Sequence, residues 1–181
     1  LTEAQAGSDL SAIRCRAEAT ADGWRITGEK IFISGGDQDM SSEILHLVLA
    51  RSGATESGIN GLSLFLCAGQ PATSVTRLEH KIGLHASPTC QMRFDGAAAE
   101  LIGTEGQGLR AMFTLMNHAR LDVALQGVAH ASRAADIASA YAAERVQGRQ
   151  PDNTPALLHD HADVRRMLDE QRRLAIGARA M

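Results

Sequence analysis

Three stretches of this sequence carry residue types that could do chemistry. The first is Lys30-Ile31-Phe32-Ile33-Ser34-Gly35-Gly36, an apolar run that ends abruptly in a hydroxyl and two glycines. Such a run reads as a buried strand, and the glycines let the backbone turn sharply or approach a ligand where it ends. A flat cofactor would suit that place, and so would an ordinary turn. The second is Gly7-Ser8-Asp9, which closes a segment without helical period. These residues suit turns and can present backbone N–H groups to a phosphate. The third, His159, Asp160, His161 and Asp163, contains metal-ligating types. Its histidines are two apart at an expected helix start, where Asp is an ordinary cap, so it reads as a helix N-terminus and no metal site is assigned.

Elements must position these groups. Ile13, Cys15, Ala17 and Ala19 alternate with Arg14, Arg16, Glu18 and Thr20, and Asp22-Gly23 then signals a hairpin to a strand restarting at Trp24 and Ile26. Ile44 to Ala50, Gly61 to Cys67 and Ser74 to Glu79 read as further strands, and Cys90, Met92 and Phe94 face one way against Gln91, Arg93 and Asp95. About seven short antiparallel strands in a barrel or sandwich, ending near Gly103, are expected. After Gly108 the period changes. Met112, Leu115, Met116, Ala119, Val123 and Val128 recur at helical spacing, predicting a helix to about Gln147. At ~1.5 Å per residue it would be about 60 Å long and would need other helices beside it. A turn-rich loop, Gln150 to Pro155, precedes a second helix from near Asp160 to Met181, with Val164, Met167, Leu168, Leu174 and Ala175 inward. The fold class is therefore α+β by segregation: a β-domain over 1–103, then the start of a helical bundle over 104–181.

Composition removes several functions. The formal net charge of -3 over 181 residues argues against general nucleic-acid binding. No apolar run approaches the ~20 residues of a membrane span. The start is neither a signal peptide nor a methionine, so the chain reads as a piece of something longer. Cys15, Cys67 and Cys90 are far apart and odd in number, and they read as small buried side chains in a reducing cytoplasm.

The order and spacing of several motifs carry a resemblance. These are Thr2-Glu3 with Ala6-Gly7-Ser8-Asp9, Gly28-Glu29-Lys30 leading into Phe32-Ile33-Ser34, Lys81-Ile82-Gly83, Leu101-Ile102-Gly103, Arg120, and Glu144-Arg145. On them the chain resembles the flavin-dependent acyl-CoA dehydrogenases over essentially its whole length. His85-Ala86-Ser87-Pro88-Thr89 and Arg145 to Arg149 look like the subgroup of 3-methylmercaptopropionyl-CoA dehydrogenases. Ala4 departs from the family, which usually has proline there; the loop should be looser without losing a functional group.

The resemblance implies FAD as cofactor and α,β-desaturation of an acyl-CoA, with the α-proton taken by a base and the β-hydride by flavin N5. It implies that Thr2 and Ser34 supply hydroxyls and nearby N–H groups to the flavin, that Phe32 packs against its ring, and that Ser8, Asn117 and Arg120 meet the acyl-CoA. For Arg120, a charge among Met116, Ala119 and Leu121, Asp122 and a ligand phosphate are the candidate partners. Arg145 and Gln147, at the expected helix end, resemble the pair that reaches the cofactor pyrophosphate of a neighbouring subunit in a homodimer or homotetramer. The family's base is a glutamate late in the bundle, after residue 181, or on the first long helix just before the arginine, where this chain has Ala119. No catalytic base is assigned here, Glu3 and Asp9 having structural roles by resemblance. The electron acceptor implied is a separate electron-transfer flavoprotein. An acyl-CoA oxidase, and a DNA-associated or scaffolding flavoprotein of the same fold, are the alternatives.

Overall fold

The computed structural model describes residues 1–68 and 71–181. By packing, the chain divides into two units, Leu1–Leu115 and Met116–Met181.

The first unit is built on six strands: β1 (Arg16–Thr20), β2 (Gly23–Ser34), β3 (Leu45–Arg51), β4 (Leu62–Ala68), β5 (Thr73–Leu78) and β6 (Thr89–Ile102). β1 and β2 form the expected hairpin, in register from Arg16 opposite Thr27 to Thr20 opposite Gly23. The 14-residue β6 organises the sheet, pairing antiparallel with β2, β4 and β5. Its length explains why six strands stand where about seven were expected. Cys90, Met92 and Phe94 face the core as their alternation predicts, but the inward set then jumps to Ala97. Gly96, at φ +66°, takes the left-handed turn that shifts the parity, and its N–H donates to Thr27 Oγ1 at 3.2 Å.

The segregated α+β order is as expected, whereas the sheet is mixed rather than wholly antiparallel, and it is not a closed barrel. β1 and β3 run parallel and share one residue pair, Arg16 with Arg51. That seam is reinforced from the side. The buried Arg51 guanidinium donates to four carbonyls, those of Ser11, Ile13, Ala54 and Gly58, at 2.7–3.3 Å. The core between the strands contains Ile13, Ile26, Leu49, Leu62 and Phe65, and all three cysteines lie in it unbridged.

Helix α1 runs Gly108–Glu144 and begins on the sheet. An added Cβ at Gly108 would lie 2.3 Å from the Ser63 carbonyl carbon, so only glycine lets the helix start this close to β4. The predicted extension to Gln147 does not occur. Val146–Arg149 instead forms β7, which pairs with β8 (Pro155–Leu157) ahead of α2 (Ala162–Ala180). Those strands are short and all four β7 residues are exposed, so no alternation announces them. Of the apolar faces expected on the helices, Met112 and Ala175 are buried, while Leu115, Val123, Met167 and Leu174 remain exposed.

Candidate functional site

The strand end singled out by its composition is irregular in a way that serves a site. Lys30 is opposite Met92 and Ile33 opposite Cys90, so Ile31 and Phe32 together face the single residue Gln91. This bulge releases the Ile31 N–H from the β2–β6 ladder, and it donates instead to the Thr2 carbonyl at 2.9 Å. Phe32 takes φ +58°, a left-handed conformation costing an L-residue about 1–2 kcal/mol. Its side chain is 59% exposed, so the cost is not repaid by burial in this chain.

Beyond the bulge, Ser34 pairs with Thr89, and Gly35, at φ +68°, donates its N–H to the Pro88 carbonyl at 2.9 Å. Gly36 is buried against Met92, whose Sδ would lie 2.6 Å from any added Cβ. The chain therefore leaves the sheet abruptly after Ser34 and leaves room beside it. A cleft of about 200 Å³ adjoins the strand end, bounded by Lys30, Ile33, Ser34, Leu47 and Phe94.

The Leu1–Ala6 segment is held beside this strand by charge. Glu3 and Ala6 close a tight backbone turn with N–H to O distances of 3.0 and 3.1 Å. Glu3 Oε1 lies 2.7 Å from Lys30 Nζ, and both side chains are buried. Lys30 also donates to the carbonyls of Leu49 at 2.8 Å and Leu1 at 3.3 Å. Burial pushes the Glu3 carboxyl up, but the hydrogen bond and charge of Lys30, with the Arg14 and Cys15 amides, outweigh it and hold the group below its ordinary value. Burial pushes the neighbouring Cys15 thiol up to about 11, which leaves it protonated and unreactive. The ion pair was missed as a unit by sequence reasoning. Its signal was parity: the alternation through Trp24, Ile26 and Gly28 carries Lys30 to the buried side.

Thr2 and Phe32 to Ser34 are thus brought together within the first unit, whereas Asn117, Arg120, Arg145 and Gln147 belong to the second. Ser8 is exposed in the turn before Asp9, whose carboxylate caps the short turn Leu10–Ala12 by accepting from Ser11 N at 2.9 Å. In the second unit Arg120 donates to Asn117 Oδ1 at 3.2 Å, one turn back along α1. Arg145 follows the last residue of α1, and Gln147 lies in β7 instead of on a helix. Both side chains are exposed, while their backbones are fixed by the hairpin: the Arg145 carbonyl accepts from Leu158 N at 2.9 Å, and His161 Nε2 lies 2.8 Å from the Gln147 carbonyl. Asp160 accepts from Leu157 N at 2.8 Å. His161 and Asp160 therefore tie the hairpin to α2, and among the described residues no three ligand-type side chains converge.

The wall has the chemistry of a planar, amphipathic ring system. It offers an exposed aromatic face, and among the described residues the hydroxyls of Thr2 and Ser34 make no hydrogen bond. The residues present fit a flavin.

Comparison with known proteins bears on what binds. Residues 1–97 match the family model described as acyl-CoA dehydrogenase, middle domain. The 3-methylmercaptopropionyl-CoA dehydrogenase of Ruegeria pomeroyi is 46% identical over 196 residues, covering 100% of this chain and 33% of the relative. A broad-specificity linear acyl-CoA dehydrogenase of Mycobacterium tuberculosis is 38% identical over 205 residues, covering 100% and 34%. The solved structure of butyryl-CoA dehydrogenase from Megasphaera elsdenii superposes with a TM-score of 0.85 at 28% identity, covering 99% of this chain and 45% of that one. The chain spans about a third of the length of the two curated relatives.

Proposed function

Because this chain belongs to the acyl-CoA dehydrogenase family, we propose that it forms one wall of the flavin and thioester site of a parent enzyme that desaturates an acyl-CoA between Cα and Cβ. When bound, FAD supplies the acceptor for the β-hydride. The rest falls to side chains. With FAD bound, Phe32 would lie against the ring, and Thr2 and Ser34 would donate hydrogen bonds to its polar edge. Ser8, Asn117 and Arg120 hold the CoA arm. Arg145 and Gln147 reach the pyrophosphate of a neighbouring subunit's cofactor, the forked guanidinium suiting a phosphate. The α-proton goes to a carboxylate outside this chain, and the electrons pass to an electron-transfer flavoprotein.

The observation that carries this reading is Phe32: a large aromatic residue held exposed in a left-handed conformation, beside a free hydroxyl, has no role in packing this chain. Its replacement separates stability from function. Phe32→Gly in the full-length parent should raise apoprotein stability by about 1 kcal/mol, because glycine accepts the left-handed backbone. It should weaken FAD retention roughly three- to tenfold, the loss of an aromatic contact. Equilibrium urea unfolding and flavin titration measure the two. A parent that shows no flavin absorbance, and none bleached anaerobically by butyryl-CoA or 3-methylmercaptopropionyl-CoA, refutes the assignment.

A further inference from the structure

The hydrogen bonds of the buried ion pair are complete on both sides. Lys30 spends its three N–H groups on Leu1 O, Glu3 Oε1 and Leu49 O. Glu3 accepts at Oε1 from Lys30 and from Cys15 N at 3.0 Å, and at Oε2 from Arg14 N at 2.7 Å and Gln5 Nε2 at 2.6 Å. Thr2 lies between the two residues that Lys30 grips, and its own carbonyl is taken by Ile31, the residue after Lys30. Three successive loop residues are therefore fixed by two successive strand residues, immediately before the Phe32 bulge.

Stability alone does not ask for this arrangement. Buried ion pairs are often no better than apolar side chains of the same volume, since desolvation offsets their attraction. What an apolar pair lacks is direction: it would let the loop slide against the strand, whereas the pair's six hydrogen bonds admit one register. We infer that Glu3 and Lys30 are positioning residues, holding Thr2 in fixed register with Phe32 and Ser34 so that the flavin meets one preorganised wall. The inference rests on the flavin reading of that wall.

The test uses the full-length parent with the double variant Glu3→Gln/Lys30→Met, which removes both charges and leaves neither group alone with an unmet partner charge. The apoprotein should melt below wild type but remain folded at the assay temperature, whereas the FAD dissociation constant should rise at least tenfold and the visible circular dichroism of bound flavin should change. A double variant that folds with an unaltered dissociation constant and flavin spectrum overturns the inference while leaving the flavin reading intact. A wild-type parent that binds no flavin overturns both. Should the double variant fail to fold, Gln5→Ala removes one orienting hydrogen bond from the exposed side of Glu3. It should raise the dissociation constant about two- to fivefold without moving the melting temperature, and an unchanged constant overturns the inference.

Discussion

His46 and Glu3 each make stability depend on pH, in separate windows. His46 is buried in β3 with its ring edge-on to Phe94, centroids 5.8 Å apart at 89°. Desolvation holds its imidazole below the ordinary value, so the folded chain prefers it neutral. As pH falls through the ordinary value of about 6.5, the unfolded chain takes a proton that the folded chain refuses, and stability is lost. Glu3 is also depressed, but as an acid. Its contribution is present above the ordinary carboxylate range and disappears only as pH falls through its lower folded value. Between pH 7.5 and 5.5 stability is therefore lost through His46 and not through the ion pair, and the Leu1 amino group, lowered by burial to about 6, titrates in the same window. Urea midpoints at those two pH values should differ less in His46→Leu than in wild type. A slope unchanged by the substitution would assign the effect to another group.

At the scale of elements, the join between helix and sheet is the most constrained feature. An added methyl at Gly108 would meet backbone atoms of Ser63 and Leu64 at 2.3–2.5 Å, and backbone cannot step aside as a side chain can. Gly108→Ala should therefore cost about 3 kcal/mol or more, above the usual 1–3 for overpacking, despite the better helix propensity of alanine. Chemical denaturation against wild type measures it, and a neutral result would mean that α1 starts farther from β4. The same contrast between pattern and backbone explains what the sequence disclosed. Cys90, Met92 and Phe94 were legible because one face of β6 is buried and parity alone decides which residues point there. The switch to Ala97 was not, since a bulge changes parity through one backbone angle at Gly96 that residue type permits but does not announce. The strand ending in Ser34 was visible as an apolar run meeting two glycines. The left-handed Phe32 within it was not, because phenylalanine ordinarily avoids that region. β7 and β8 stayed hidden because both are too short to display a period. Arg145 and Gln147 were consequently placed on a helix that had already ended.

At the scale of the molecule, both units leave apolar side chains uncovered. The strand unit buries Ile13, Ile26, Leu49, Leu62 and Phe65 but leaves Phe32, Leu45, Leu78, Ile82 and Leu84 more than half exposed, and in the second unit Leu121, Val123, Leu125, Ile137, Tyr141, Leu174 and Ile176 are each more than half exposed. No helix among the described residues is long and apolar enough to cross a membrane, so a bilayer core is not what these helices span. Leu121 and Leu125 stand one turn apart on α1, as do Ile137 and Tyr141, and such pairs present continuous apolar surface. In the proposed parent this surface packs against further helices of the bundle. The 181-residue chain by itself, with the same surface uncovered, should associate with itself and bind a hydrophobic dye. Burying one leucine contributes about 1.5–3 kcal/mol, so Leu121→Lys with Leu125→Glu should weaken that association at least tenfold, as measured by sedimentation velocity over a concentration series. In the full-length parent the two substitutions should lower thermal stability, because there they would put charged side chains into a packed interface. If the isolated chain sediments as a monomer at every concentration and leaves the dye dark, its helices bury their own apolar faces, and the bundle is not needed to cover them.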